Sequence, residues 1–166
     1  SMVHQSVEGP IACVDEVNLT LPDRVLAVHL RYIRAGARLI ETNSFGANRV
    51  KLGAFGLDEK VAEINGRAVK LAREARDIAG SEVFVAGSIG PTGLEIAETP
   101  AMAELLRDVF REQAAALDDR GVDLFVLETF SSIWEIERAV EAVKSVSGQP
   151  ILAQVTFPAA DEWAEA

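Results

Sequence analysis

Two hydrophobic periods alternate along this chain, and that alternation is its strongest constraint. Nearly continuous apolar runs, rich in β-branched residues, recur at Arg38–Thr42, Val83–Ser88, Leu124–Thr129 and Ile151–Thr156. Such runs predict strands buried on both faces, as in a parallel sheet. Between them lie stretches of helical period. Thr20 is read as the N-cap of a first helix, with Pro22 in its first turn, Asp23 at N3, and Val25, Val28, Leu30, Tyr32 and Ile33 apolar. Gly36 should end it, because glycine tolerates the left-handed C′ position. A second helix is expected from Asp58 to Ala79, with Val61, Ile64, Ala68, Leu71 and Ala75 on one face and Gly80 as its stop. Thr99-Pro100 opens a third, with Met102, Leu105, Leu106, Val109 and Leu117 inward and Gly121 near its end. A fourth runs from Ile133 to Val146, closed by Gly148 and Pro150.

Strand–helix alternation implies right-handed crossovers and a parallel α/β sheet. Two architectures satisfy it, a (β/α) barrel and an open doubly wound sheet. An internal echo favours the barrel. Gly36-Ala-Arg-Leu-Ile-Glu41-Thr42 and Gly121-Val-Asp-Leu-Phe-Val-Leu-Glu128-Thr129 share a helix-ending glycine, an apolar strand and a terminal Glu-Thr. The second has two more strand residues, which keeps side-chain parity because the strand period is two.

Composition narrows the partners. The chain has 166 residues, 49% hydrophobic and 25% charged, with a net charge of −10. That acidity opposes nucleic acid and anionic lipid, so neither is an expected partner. No apolar run approaches the about 18 residues of a membrane span. The opening SMVHQSVEGP lacks the basic and apolar regions of a signal peptide, which makes the cytoplasm the expected location. One cysteine, Cys13, allows neither an intrachain disulfide nor a multi-thiolate metal site. Neither His4 nor His29 completes a nucleophilic triad; His29 is read as a partly buried helix residue. Trp134 and Trp163 are read as packing residues.

Parallel α/β folds place function at the carboxyl ends of their strands. Here those ends carry Glu41-Thr42-Asn43, Ser88-Ile-Gly-Pro-Thr-Gly93, Glu128-Thr129-Phe130 and Gln154-Val155-Thr156. Thr92, Ser131 and Ser132 are accounted for by helix capping. Glu41 and Glu128 are not. A carboxylate closing an apolar strand loses hydration and needs a cation, a metal or strong donors. Arg49 or Lys51 would be a structural partner; a substrate ammonium would be a functional one. The segment from 88 to 93 has neither the lysine of a Walker loop nor a G-x-G fingerprint. Its glycines are read as letting the backbone pass close to a ligand or a neighbouring strand.

Several co-linear stretches together resemble the zinc-dependent homocysteine S-methyltransferases. They are Ala35–Arg49 (AGARLIETNSFGANR), Val85–Gly93 (VAGSIGPTG), Asp123–Phe130 (DLFVLETF), Asp15–Thr20 (DEVNLT) and Gln154–Phe157 (QVTF). Within the family the chain is most similar to the homocysteine-binding domain of bacterial methionine synthase and to that of enzymes fused to methylenetetrahydrofolate reductase. The resemblance implies a (β/α)8 barrel in which zinc, held by three cysteines, binds homocysteine as thiolate. The methyl group would come from methyl-folate, cobalamin or another donor through further domains, giving methionine. It also implies that Glu128 holds the substrate amino group, with Glu41, Asn43, Phe45 and Thr129 lining the pocket.

The resemblance implies a fragment as well. The family's glycine-rich first strand is expected before residue 1, and its zinc cysteines beyond residue 166. Residues 1–166 would be one portion of a homocysteine-binding barrel, truncated at both ends and holding family strands two to five. Such a piece is expected to be inactive alone and to form homo-oligomers through its exposed half-barrel edges. Two alternatives remain at this point: a natural half-barrel binding module without metal, and another (β/α) barrel enzyme. An aldolase would need a Schiff-base lysine at a strand end, and the four strands offer none.

Overall fold

The computed structural model describes residues 12–157; the expectations for the opening segment, His4 and Trp163 lie outside the described residues. All four strands form where the apolar runs place them. They are β1 (Leu39–Glu41), β2 (Phe84–Ile89), β3 (Leu124–Phe130) and β4 (Ile151–Val155). The helices are α1 (Val17–Thr20), α2 (Pro22–Arg34), α3 (Arg49–Gly53), α4 (Val61–Ala79), α5 (Pro100–Asp118) and α6 (Ile133–Val146), with a 3-10 turn at Asp58–Lys60 before α4. None of these helices is long and apolar enough to cross a membrane.

The strands are all parallel and lie in sequence order, β1-β2-β3-β4. A doubly wound sheet reverses its strand order at a switch point. Sequential order with every crossover running the same way is the wall of a barrel. It settles the choice that the pattern left open.

The two faces of the sheet differ. Ile40, Val85, Ile89, Phe125 and Leu127 point outward and are buried under the helices. Beneath α5 and α6 they meet Leu106, Phe110, Leu117, Ile136 and Val143. Toward α2 and α4 they meet Ile33, Ala72 and Ala75. The opposite face carries Leu39, Phe84 and Leu152, exposed by 38%, 60% and 47%. These residues share a face because Leu39 pairs with Phe84, and Val126 pairs with both Ser88 and Leu152. It is the inner wall of a barrel, open to solvent at these three positions, while Ala86, Ser88 and Val126 on the same face are buried.

β3 contains one irregularity. Its register with β4 shifts between Leu127 and Phe130, and Thr129 has φ 64°, the only non-glycine with positive φ among the described residues. An extra residue at a bulge reverses the alternation. Phe130 thereby returns to the helix side with Leu127, its ring 5.8 Å from that of Phe110. Only the bulge reconciles a pocket-facing Glu128 with a core-facing Phe130.

The ends of the helices mostly follow their punctuation. Thr99 and Ser132 accept the N–H groups of Met102 and Glu135, and Gly80 closes α4 at φ 61°. Two expectations are corrected. Thr20 does not cap α2; it ends α1, and its hydroxyl donates back to the Glu16 carbonyl. Leu105 is exposed, because the buried stripe of α5 runs through Leu106, Val109, Phe110, Gln113 and Leu117 and position 105 falls off it.

The two faces make different demands on similar side chains. Phe125→Ala should destabilise the fold by about 3–5 kcal/mol, whereas Phe84→Ala should cost under about 1 kcal/mol. Urea unfolding of both variants checks this; equal costs would contradict an open inner wall.

Candidate functional site

Parallel pairing brings the strand ends to one rim, and a cleft of about 730 Å3 opens there. Glu41, Asn43, Phe45, Ser88 and Glu128 all line it. Thr129, the remaining expected site residue, is exposed at the bulge and is not among the lining residues. Glu41 and Glu128 come from strands separated by β2, yet parity puts both on the inner face.

Glu41 is accessible from the cleft mouth, but the walls partly desolvate its carboxyl. That burial and the adjoining Glu128 carboxyl, with which it shares a hydrogen bond, push Glu41 above the usual range. Glu128 accepts from the Ser88 hydroxyl at 2.6 Å. Neither glutamate forms an ion pair among the described residues. Arg49 is not the partner: it grips Glu112 through two bonds of 3.0 and 2.6 Å and Glu59 at 3.1 Å, tying α3 to α5 and the turn before α4. Lys51 is not the partner either. Its ammonium lies 4.7 Å from the Phe45 ring centroid and is drawn to Asp15 and Glu135.

The loop after β1 is held by buried polar groups. Asn48 caps α3 by accepting from the Lys51 N–H. Gln113 of α5 donates to the Ser44 carbonyl at 2.7 Å, and Asn65 of α4 donates to the Ala47 carbonyl at 2.7 Å. Asn43 donates to the Val14 carbonyl at 2.8 Å and accepts at its own carbonyl from Asn18 at 2.6 Å. Its side chain therefore fastens the N-terminal loop to the strand end. Asn18 is fully buried in the same contact. Phe45 lies over Gly90, where an added Cβ would sit 2.4 Å from the ring. That glycine is required by a close approach from a neighbouring loop.

Sequence reasoning missed three residues here. Asp15 accepts the Gly46 N–H at 3.0 Å, and burial pushes its carboxyl up to about 6. Glu135, buried on α6, accepts both the N–H and the hydroxyl of Thr92, at 2.8 and 2.7 Å. Thr92 thus pins its loop across to α6 instead of capping a helix. His29 is more deeply buried than expected: its Nε2 has no partner, and burial lowers its pKa to about 4. Each signal was a polar residue whose burial depends on long-range contacts. Trp134 packs against the main core with the Arg138 guanidinium 5.0 Å from its ring.

A sequentially wound parallel wall with two glutamates at its mouth defines the chain as part of a (β/α)-barrel domain. A family model described as Homocysteine S-methyltransferase matches residues 2–164, and the chain belongs to that family. It is 32% identical over 139 residues to the methionine synthase of Mycobacterium leprae, covering 80% of this chain and 11% of that protein. It is 35% identical over 134 residues to the homocysteine S-methyltransferase of Escherichia coli, covering 72% of this chain and 43% of that one. Among solved structures, the metallated form of the Escherichia coli homocysteine methyltransferase MmuM superposes with a TM-score of 0.78 at 28% identity, over 95% of this chain and 60% of that chain. The chain therefore spans less than two thirds of the relatives it matches. The other barrel enzymes considered above are set aside by the family match.

His29 yields a pH prediction. A folded-state value near 4 against 6.5 means that the unfolded chain takes up the proton first. Stability from His29 is complete above pH 6.5 and is lost as the pH falls toward 4, by on the order of 3 kcal/mol. Asp15 acts oppositely, its contribution falling as the pH rises from 3.8 toward 6. His29→Leu should remove the acid-side loss, so that its urea midpoint no longer drops between pH 6.5 and 4.5. A variant as acid-sensitive as the parent would contradict the assignment.

Proposed function

We propose that this stretch forms the amino-group wall of a homocysteine pocket in an S-methyltransferase barrel. The observation that carries it is the pair Glu41 and Glu128, adjacent at the cleft mouth with no lysine or arginine partner among the described residues. Two desolvated carboxylates repel unless a cation or a proton intervenes. An α-ammonium group is a cation of the right size, and it donates three hydrogen bonds. Family membership and the names of the relatives support homocysteine as the amino acid.

In this reading Glu128 and Glu41 hold the ammonium and Phe45 forms an apolar wall. Asn43 fixes the loop that carries Phe45, and the Thr129 bulge aims Glu128 inward. The family reaction is methyl transfer to the homocysteine sulfur, giving methionine, with zinc supplying thiolate activation and methyl-folate or cobalamin as donor. The residues described here do not fit a zinc–thiolate centre. Among them no three His, Cys, Asp or Glu residues are grouped to hold a metal. Cys13 is buried in the N-terminal loop, and that burial pushes its thiol up, away from the thiolate form a metal requires. No thiol-activating step is assigned to them. The open inner face, with Leu39, Phe84 and Leu152, suits closure by further barrel strands, supplied by a longer chain or by a second copy.

Homocysteine added to the whole chain should shift the carboxyl NMR signals of Glu41 and Glu128. The deaminated analogue 4-mercaptobutanoate should not. Glu128→Gln should weaken homocysteine binding by about tenfold or more, the loss of a charge-assisted hydrogen bond. Equal binding of the two thiols would refute the ammonium reading.

A further inference from the structure

The hydroxyls behind Glu128 form a chain in which every proton direction is determined. Ser44 has one hydroxyl proton, and it goes to the Ser88 carbonyl at 2.7 Å. In the 2.6 Å contact between Thr42 and Ser44, Thr42 must therefore be the donor. The Thr42 oxygen is then free to accept, and it receives the Ser88 N–H at 3.0 Å. Ser88 is thus held at both its N–H and its carbonyl by the strand-end residues of β1. It is 1% exposed. Its remaining proton points at Glu128 Oε1, 2.6 Å away.

That oxygen of Glu128 accepts, and because an ionised carboxylate accepts more strongly than a protonated one, the Ser88 hydroxyl favours the ionised form of Glu128. The adjoining carboxyl is Glu41, which reaches the same cleft from the other side of β2. Two carboxyls in contact hold one proton between them over a wide pH range, because both cannot ionise without repulsion. The other titratable groups lining the cleft are Cys13, Asp15, Lys51 and, from α2, His29 and Tyr32; β2 contributes none. Lys51 is engaged with Asp15 and the Phe45 ring, and His29 is neutral above about pH 4.

We infer that Ser88 is the positioning residue of this pair: it holds Glu128 as the acceptor and leaves the pair's single proton on Glu41. A bound ammonium group displaces that proton to solvent, so that the ligand's positive charge replaces it between two carboxylates. Only this last step rests on the ammonium reading; the placement of the proton concerns the ligand-free protein.

Carboxyl-carbon NMR titration of the whole, ligand-free chain tests the placement. Glu41 should titrate above the ordinary glutamate value of about 4.3. Ser88→Ala should lower its midpoint by at least about half a pH unit, since the selective hydrogen bond is gone. Ser88→Thr, which keeps the hydroxyl, should restore the parent curves. Glu128→Gln should lower the Glu41 midpoint toward the ordinary range, leaving the part that burial causes, and it tests the shared proton even if the Ser88 variants fail to fold. A parent Glu41 that titrates with the surface glutamates overturns the proposal. So does a Ser88→Ala curve superimposed on the parent, or an unchanged Glu41 in Glu128→Gln. Calorimetry with homocysteine in two buffers of different ionisation enthalpy should show proton release near the Glu41 midpoint. Binding without release overturns the displacement step. Absence of binding overturns the ammonium reading, while the titration still decides where the proton sits.

Discussion

Parallel pairing is the constraint on which the rest of the structure depends. Once β1, β2 and β3 run the same way, their carboxyl ends meet at one rim. Every strand-to-helix connection must then begin there. Backbone groups leaving the ladder need partners, and the residues just past each strand are selected for supplying them. Thr42, Ser44 and Ser88 meet that demand for one another. The polar rim is first a solution to a hydrogen-bonding problem. Its chemistry rests on that foundation.

The stretch ETNSFGANR, from Glu41 to Arg49, divides accordingly. Thr42, Ser44 and Asn48 are buried and bonded within the protein. Asn43 is spent on the N-terminal loop, and Arg49 on an ion-pair network away from the cleft. Only Glu41 and Phe45 are left facing the cavity with capacity to spare. A segment that is mostly polar on paper has one cleft-facing carboxylate and a scaffold that aims it. The scaffold reaches far: Gln113 on α5, Asn65 on α4 and Asp15 in the N-terminal loop all converge on this loop.

Strands and helices were legible because their signals are local. The apolar runs, the stopping glycines at 36, 80 and 121 and the caps at Thr99 and Ser132 act over a few residues. The Glu-Thr echo was legible too, since parity survives counting. Burial of isolated polar residues was not. Glu135 is an ordinary acidic position in the first turn of a helix until Thr92 is brought against it. His29 lies on the buried stripe of α2, but its depth depends on what covers that stripe. The bulge at Thr129 escaped notice because nothing in Leu-Glu-Thr-Phe marks a change of face.

The sequence by itself determined the order of the strands and the four long helices, the parallel class and the two glutamates that close apolar strands. These follow from periodicity and from the cost of dehydrating a carboxylate. Tertiary structure decided the winding, because strand order is set by which helix packs over which strand. It also decided that Arg49 and Lys51 belong elsewhere, leaving Glu41 and Glu128 to face each other. Charge partners are chosen by distance in space, and in a wall of separate strands that distance is unrelated to distance along the chain.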